Sequence, residues 1–208
     1  VERSRGLGDV YKRQGYGYTN PYLSFLNKQN KNLQISAMQP EFLDGNVKEK
    51  YDFDHQIIHE YFLPLDPSSV DVVISAHLLE FVDKPQSSIE EIWRILKPNG
   101  LFLTIIPRRS GIWTRYDNNP FGFGRSYSIK QFKSLIQDFL VLDYRKSFLH
   151  FPPWDHYLNY KSHRTIEKIG DFFFPYMGGL MICVCKKIVY AKSTKKQKKI
   201  PIKSFVAT

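Results

Sequence analysis

Residues 70–107 restrict the fold more than any other stretch. "VDVVIS", Val70 to Ser75, is a β-branched run bounded by turn residues. "KPQSSIEEIWRILKPNG" then carries Ile89, Ile92, Trp93, Ile95 and Leu96 at helical spacing, with Ser87 or Ser88 placed to cap the helix and Pro98, Asn99 and Gly100 to stop it. "LFLTIIP", Leu101 to Pro107, is continuously apolar, the pattern of a strand buried on both faces. Strand, helix and strand at this spacing form a βαβ unit, so the sheet is mostly parallel and has helices on its faces. Trp93, on the apolar stripe, is expected in the core.

The rest of the chain supplies further elements. "NPYLSFLNKQN" has near-helical apolar spacing with Pro21 in the first turn; "NLQISAMQP" and "QIIHEY" read as short strands. "SIKQFKSLIQDF" is an amphipathic helix with Ser128 as its cap, "LVLDYRKSFLHF" a strand, "SHRTIEKIGDFFFPYM" a helix or helical turn, and "GGLMICVCKKIVY" the last strand. Between Arg108 and Ser128 there is no clean period, so a long loop rich in aromatics and arginine is expected, and loops of that length are commonly functional.

With 208 residues and 42% apolar content, one domain plus a tail fits best. The net charge of +10 raises a nucleic-acid or anionic-surface reading, but much of the excess lies in "KSTKKQKKIPIK", Lys192 to Lys203, which is expected to be a basic flexible tail through which nucleic acid could bind. No apolar run reaches the ~18 residues of a membrane-spanning helix. Cys183 and Cys185 lie in a strand whose neighbouring positions face opposite sides, and they are expected to stay unpaired and buried, as suits a reducing cytoplasm. The six histidines are scattered and lack ligand spacing, so no metal site is expected.

"LPLDPSSVDVVISAHLLEFVDKPQSSIEEIWRILKPNGLFLTIIP" resembles the class I S-adenosylmethionine-dependent methyltransferases of the type 11 methyltransferase-domain group. The features that match are Leu-Pro, an Asp-containing strand, a His followed by Leu-Glu, and a helix ending in Leu-Lys-Pro. "FGFGRSYS", "FPPW" and "FPYMGGLMICVCKKIVYA" look like a bacterial branch of that group. The resemblance implies a Rossmann-like α/β fold, a mostly parallel sheet with an antiparallel last strand, and S-adenosylmethionine as cofactor.

It also implies roles for individual residues. Gly15 and Gly17 match the glycine loop after the first strand, with Tyr18 and Thr19 lining it and Asn20 where many relatives carry another glycine. Gln39 stands where the group usually has a ribose-binding carboxylate. Glu60 or His59 takes the place of the polar residue beside the adenine, with Tyr61, Phe62 and Leu63 as apolar wall. His77, at the mouth, is the candidate catalytic residue, positioning a substrate or else capping the next helix, and no residue stands out as a general base. Trp113, Arg115, Tyr116, Asp117, Phe121, Phe123, Arg125 and Tyr127 form the candidate lid and acceptor-binding loop, or else aromatics packed on the sheet edge.

One segment conflicts with the resemblance. "VERSRGLGDVYKRQ" is basic, carries two glycines and has no apolar run, so the expected organisation is a foreign segment over residues 1–14, a methyltransferase domain over 15–191 missing its first strand, and the tail over 192–208. Two other classes compete with a methyltransferase of unassigned acceptor: a non-catalytic binding subunit on the same fold, and a nucleic-acid methyltransferase using the tail.

Overall fold

The computed structural model describes residues 12–29, 34–43, 53–58, 61–111, 113–115, 124–150, 167–170, 172–173 and 177–187. They form a seven-stranded sheet of order β3-β2-β1-β4-β5-β7-β6. Its strands are β1 (Lys12–Gly17), β2 (Gln34–Pro40), β3 (Asp54–Ile58), β4 (Val70–Ala76), β5 (Leu96–Pro107), β6 (Leu140–Phe148) and β7 (Leu180–Lys187). Pairing is parallel from β3 through β5, and β7 runs antiparallel to both β5 and β6. The expected α/β architecture, mostly parallel with an antiparallel last strand, is what the chain forms.

The first strand is the main correction: it is not missing. Lys12–Gly17 occupies the sheet centre, paired with β2 through Lys12↔Gln34 to Tyr16↔Met38 and with β4 through Arg13↔Val72 to Gly17↔Ala76. Residues 12–14, assigned from sequence to a foreign segment, are therefore part of the sheet; residues 1–11 lie outside the described residues. A polar sequence can fill this slot because ladder bonds come from the backbone, and strand propensity yields to the neighbours on either side. The buried Gln14 amide is itself satisfied, donating to the Gly15 carbonyl at 2.8 Å and accepting from the Ser36 hydroxyl at 2.6 Å.

Helices α1 (Asn20–Gln29), α2 (Pro85–Ile95) and α3 (Ile129–Ile136) cover the sheet. Leu23 of α1 packs with Ile35, Ala37 and Ile74 in one cluster. The larger core gathers Ile89, Ile92 and Ile95 of α2 and Phe132 and Ile136 of α3 with Tyr16, Val73, Phe102 and Cys185 from the sheet. Burying each large apolar side chain stabilises by about 1.5–3 kcal/mol, so these two layers hold the sheet from both sides.

Two details of α2 depart from expectation. It begins at Pro85 with no side-chain cap, so neither serine caps it, and the fully buried Ser88 lies inside the helix. Trp93 is 36% exposed rather than core, because it flanks the stripe made by Ile89, Ile92 and Ile95. Its ring meets Phe139 at 6.1 Å and carries the Lys187 ammonium 4.5 Å from its centroid. By contrast α3 starts as expected: Ser128 accepts from the Gln131 backbone and Gln131 returns the bond, a capping box. Of the expected segment 162–177, residues 167–170 and 172–173 are helical.

Cys183 and Cys185 are free and fully buried. Being two positions apart on β7, they share one face and one cluster rather than facing opposite sides. Burial pushes the Cys183 thiol up to about 12, against the relief offered by Arg145 and Arg108, and burial with Cys183 and Asp143 raises Cys185 further. Because the thiolate is the reactive form, the folded protein at neutral pH is expected to show no reaction with an aromatic disulfide reagent, and both thiols to react once denaturant is added. Rapid labelling of the native chain would contradict this packing.

Candidate functional site

Strand order reverses between β1 and β4, since β1 leads to β2 on one side and β4 to β5 on the other. The two connections diverge and leave a crevice at the carboxyl ends of these strands, where open α/β sheets bind ligands.

Gly17 closes β1 at φ +96, a conformation that side chains rarely adopt. A Cβ there would lie 2.8 Å from the Ala76 carbonyl oxygen and 2.9 Å from the Leu78 Cβ. That close approach lets the Tyr18 amide donate to Ala76 at 2.9 Å and turns the chain into α1, whose first amides, Tyr22 and Leu23, reach back to the Thr19 carbonyl at 3.0 Å. Gly15 lies under the same turn, where a Cβ would run into Thr19 and Leu23. The positive end of the α1 dipole thus lies at the carboxyl end of β1.

At the end of β2, Gln39 is buried, and its amide links the turn after β2, the start of α1 and β3. Its Nε2 donates to the Leu43 carbonyl at 2.7 Å, while its Oε1 lies 3.4 Å from both Asn20 Nδ2 and His55 Nε2. Thr19 Oγ1 and Asn20 Oδ1 are buried and have no hydrogen-bond partner among the described residues. Buried polar atoms left this way are costly unless a ligand satisfies them.

At the end of β4, His77 has φ 53, its amide donates to the Ile105 carbonyl at 3.2 Å, and its Nδ1 is 2.8 Å from Glu80 Oε1. The Glu80 side chain is only 1% exposed, against 16% for His77. Burial pushes the Glu80 carboxyl up from its ordinary range, and the hydrogen bond and charge of His77 oppose that rise. Tyr22 and Tyr127 are also raised, first by burial, with the Glu80 charge a further cause in each.

The structure therefore brings Gly15, Gly17, Tyr18, Gln39 and His77 to one edge. Leu63 is fully buried in the main core, and its carbonyl accepts from Arg94. Of the expected acceptor loop, Trp113 and Arg115 belong to a 3-10 turn, and the Trp113 ring packs on the backbone of Gly179 just before β7. Arg125 is exposed, and its amide donates to the Glu80 carbonyl at 2.8 Å. Glu60, His59, Tyr116, Asp117, Phe121, Phe123 and the tail lie outside the described residues. Glu80 was quoted in the sequence motif without a role; the signal was its i,i+3 spacing from His77, and burial gives it weight.

Residues 15–104 match the family model of a methyltransferase domain, which covers the glycine turn, the ends of β2 and β4, and the His77–Glu80 segment. That segment, 90 of the 208 residues, is similar to methyltransferase domains. No curated protein sequence is significantly similar to it.

Solved methyltransferase structures share the fold. One from Thermotoga maritima is 18% identical, with a TM-score of 0.61 over 88% of this chain and 84% of that one. The methyltransferase in complex with the Haloferax volcanii Trm112 activator is 16% identical, at 0.60 over 86% and 83%. Geranyl diphosphate C-methyltransferase from Streptomyces coelicolor, solved with S-adenosyl-L-homocysteine, is 13% identical, at 0.58 over 88% and 75%. No helix among the described residues is long and apolar enough to cross a membrane.

Proposed function

We propose that the carboxyl ends of β1, β2 and β4 form the S-adenosylmethionine site and that the methyl group leaves it beside His77. The observation that carries this reading is the pair of buried, unpartnered oxygens of Thr19 and Asn20 beside the Gly17 turn, at the switch point of the sheet. Gly15 and Gly17 keep side chains out of the way, and Tyr18, Thr19 and Asn20 meet the amino-acid end of the cofactor at the start of α1. Gln39 Oε1 accepts from a ribose hydroxyl, and Glu60 stands by the adenine.

When bound, S-adenosylmethionine supplies an electrophilic methyl group on a sulfonium. The protein's part is then to hold the acceptor in line with that methyl and to exclude water, work that alignment alone can accelerate greatly. Trp113, Arg115, Tyr116, Phe121 and Arg125 supply the acceptor side. The domain runs from β1 to about residue 191, with 192–208 as a basic tail, and the free, buried thiols suit a bacterial cytoplasm.

Calorimetric titration of S-adenosylmethionine and S-adenosylhomocysteine should give micromolar dissociation constants. Gln39→Ala should weaken both by about tenfold, the ~1.4 kcal/mol of one hydrogen bond. Failure of the wild-type chain to bind either ligand would overturn the reading. The tail, with its cluster of lysines, gives a nucleic-acid acceptor its own signature: RNA or DNA binding that falls steeply with salt and is lost with the lysines of 192–203.

A further inference from the structure

Glu80 is a carboxylate in a place where burial disfavours charge. Its side chain is 1% exposed, one oxygen meets His77 Nδ1 at 2.8 Å, and the other, Oε2, is buried with no hydrogen-bond partner among the described residues. A leucine or methionine would pack there without desolvating an ionisable group. The turn that carries the pair is fixed from several directions. The His77 amide donates to Ile105, the Phe81 amide to Leu78, the Arg125 amide to the Glu80 carbonyl and the Tyr127 hydroxyl to the Leu79 carbonyl at 2.7 Å. Gly124 packs directly on the Glu80 side chain, since a Cβ there would come within 2.8 Å of Glu80 Cβ. His77 itself has φ 53, in the left-handed region that histidine enters more readily than most side chains.

We propose that Glu80 is a positioning residue for His77. The carboxylate accepts the Nδ1 proton, fixing the tautomer in which Nε2 carries the lone pair, and Nε2 is the atom that takes the proton of the methyl acceptor. This deepens the function proposed above and rests on it. As the acceptor atom bonds to the methyl carbon, the sulfur–methyl bond breaks and the sulfonium becomes a neutral thioether. The acceptor's bond to hydrogen breaks, and that proton passes to Nε2. The resulting imidazolium lies against the Glu80 carboxylate, which compensates its charge, and it returns the proton to water after the products leave. The acceptor class is thus one that carries a proton to lose, a hydroxyl, thiol or protonated nitrogen, rather than one methylated on a bare lone pair.

The test is the tautomer of His77, read from its ring nitrogens by 15N NMR at a pH where imidazole is neutral, in the wild type, Glu80→Gln and Glu80→Leu, each titrated with S-adenosylhomocysteine. The wild type is expected to carry its proton on Nδ1. Glu80→Gln, which keeps an acceptor oxygen, should retain that form, and Glu80→Leu should shift to the Nε2–H form preferred by free histidine. An Nε2–H tautomer in the wild type, or an unchanged Nδ1–H form in Glu80→Leu, would sink the proposal. A folding defect in the leucine variant leaves the wild-type spectrum decisive. Because the tautomer is read with and without ligand, failure of S-adenosylhomocysteine to bind would count against the cofactor site alone.

Discussion

Gly17→Ala is expected to lower the stability of the folded chain by about 2–6 kcal/mol and to weaken S-adenosylhomocysteine binding by more than tenfold. Two costs add. At φ +96 an alanine occupies a region that side chains rarely adopt, a strain of about 1–3 kcal/mol. Its methyl would also press on the Ala76 carbonyl and the Leu78 Cβ, at 2.8 and 2.9 Å, and overpacking of this kind costs about 1–3 kcal/mol. Neither neighbour can yield cheaply, because the Ala76 carbonyl accepts from the Tyr18 amide and Leu78 is fully buried. Relief must come from the turn itself, and that turn presents Tyr18, Thr19 and Asn20. Urea unfolding gives the first quantity and calorimetry the second. An alanine variant with unchanged midpoint and affinity would show that the turn is not built this way.

Phe102→Ala should cost about 3–5 kcal/mol, a large part of the ~5–15 kcal/mol that holds a domain together. Phe102 is fully buried in the central strand β5, between Val73 of β4 and Cys185 of β7, under the face that α2 and α3 cover. Its neighbours are fixed on both sides by ladder pairing, so the cavity cannot close by sliding a strand. The adjacent Leu101 points to the other face and is 37% exposed, so Leu101→Ala should cost far less. Equal shifts in the two urea midpoints would mean that the core is not packed as described.

The βαβ unit was legible because its side chains announce it: Val70 to Ser75, the stripe of α2 and Leu101 to Pro107 each have one period and one burial pattern. The site was partly legible for a related reason. Gly15, Gly17, Gln39 and His77 all sit where strands end, and strand ends are set by the same periodicity. An apolar loop residue such as Leu63 carries no mark in sequence that tells a ligand wall from a core contact, and the fold buries it in the main core. Trp93 misled in the opposite way, since a broad aromatic can join the edge of a stripe while its ring lies half in water against Phe139 and Lys187.

Sequence by itself determined the local elements and the parallel character of the sheet, because hydrophobic period, caps and turn residues are properties of neighbours along the chain. Tertiary structure alone decided the two features on which function turns. Lys12–Gly17 is a central strand only because β2 and β4 offer it backbone partners on both sides, a demand its polar side chains do not reveal. Glu80 gains its hold on His77 only through burial, which the turn, Gly124 and the segment through Tyr127 create together from residues far apart in the chain.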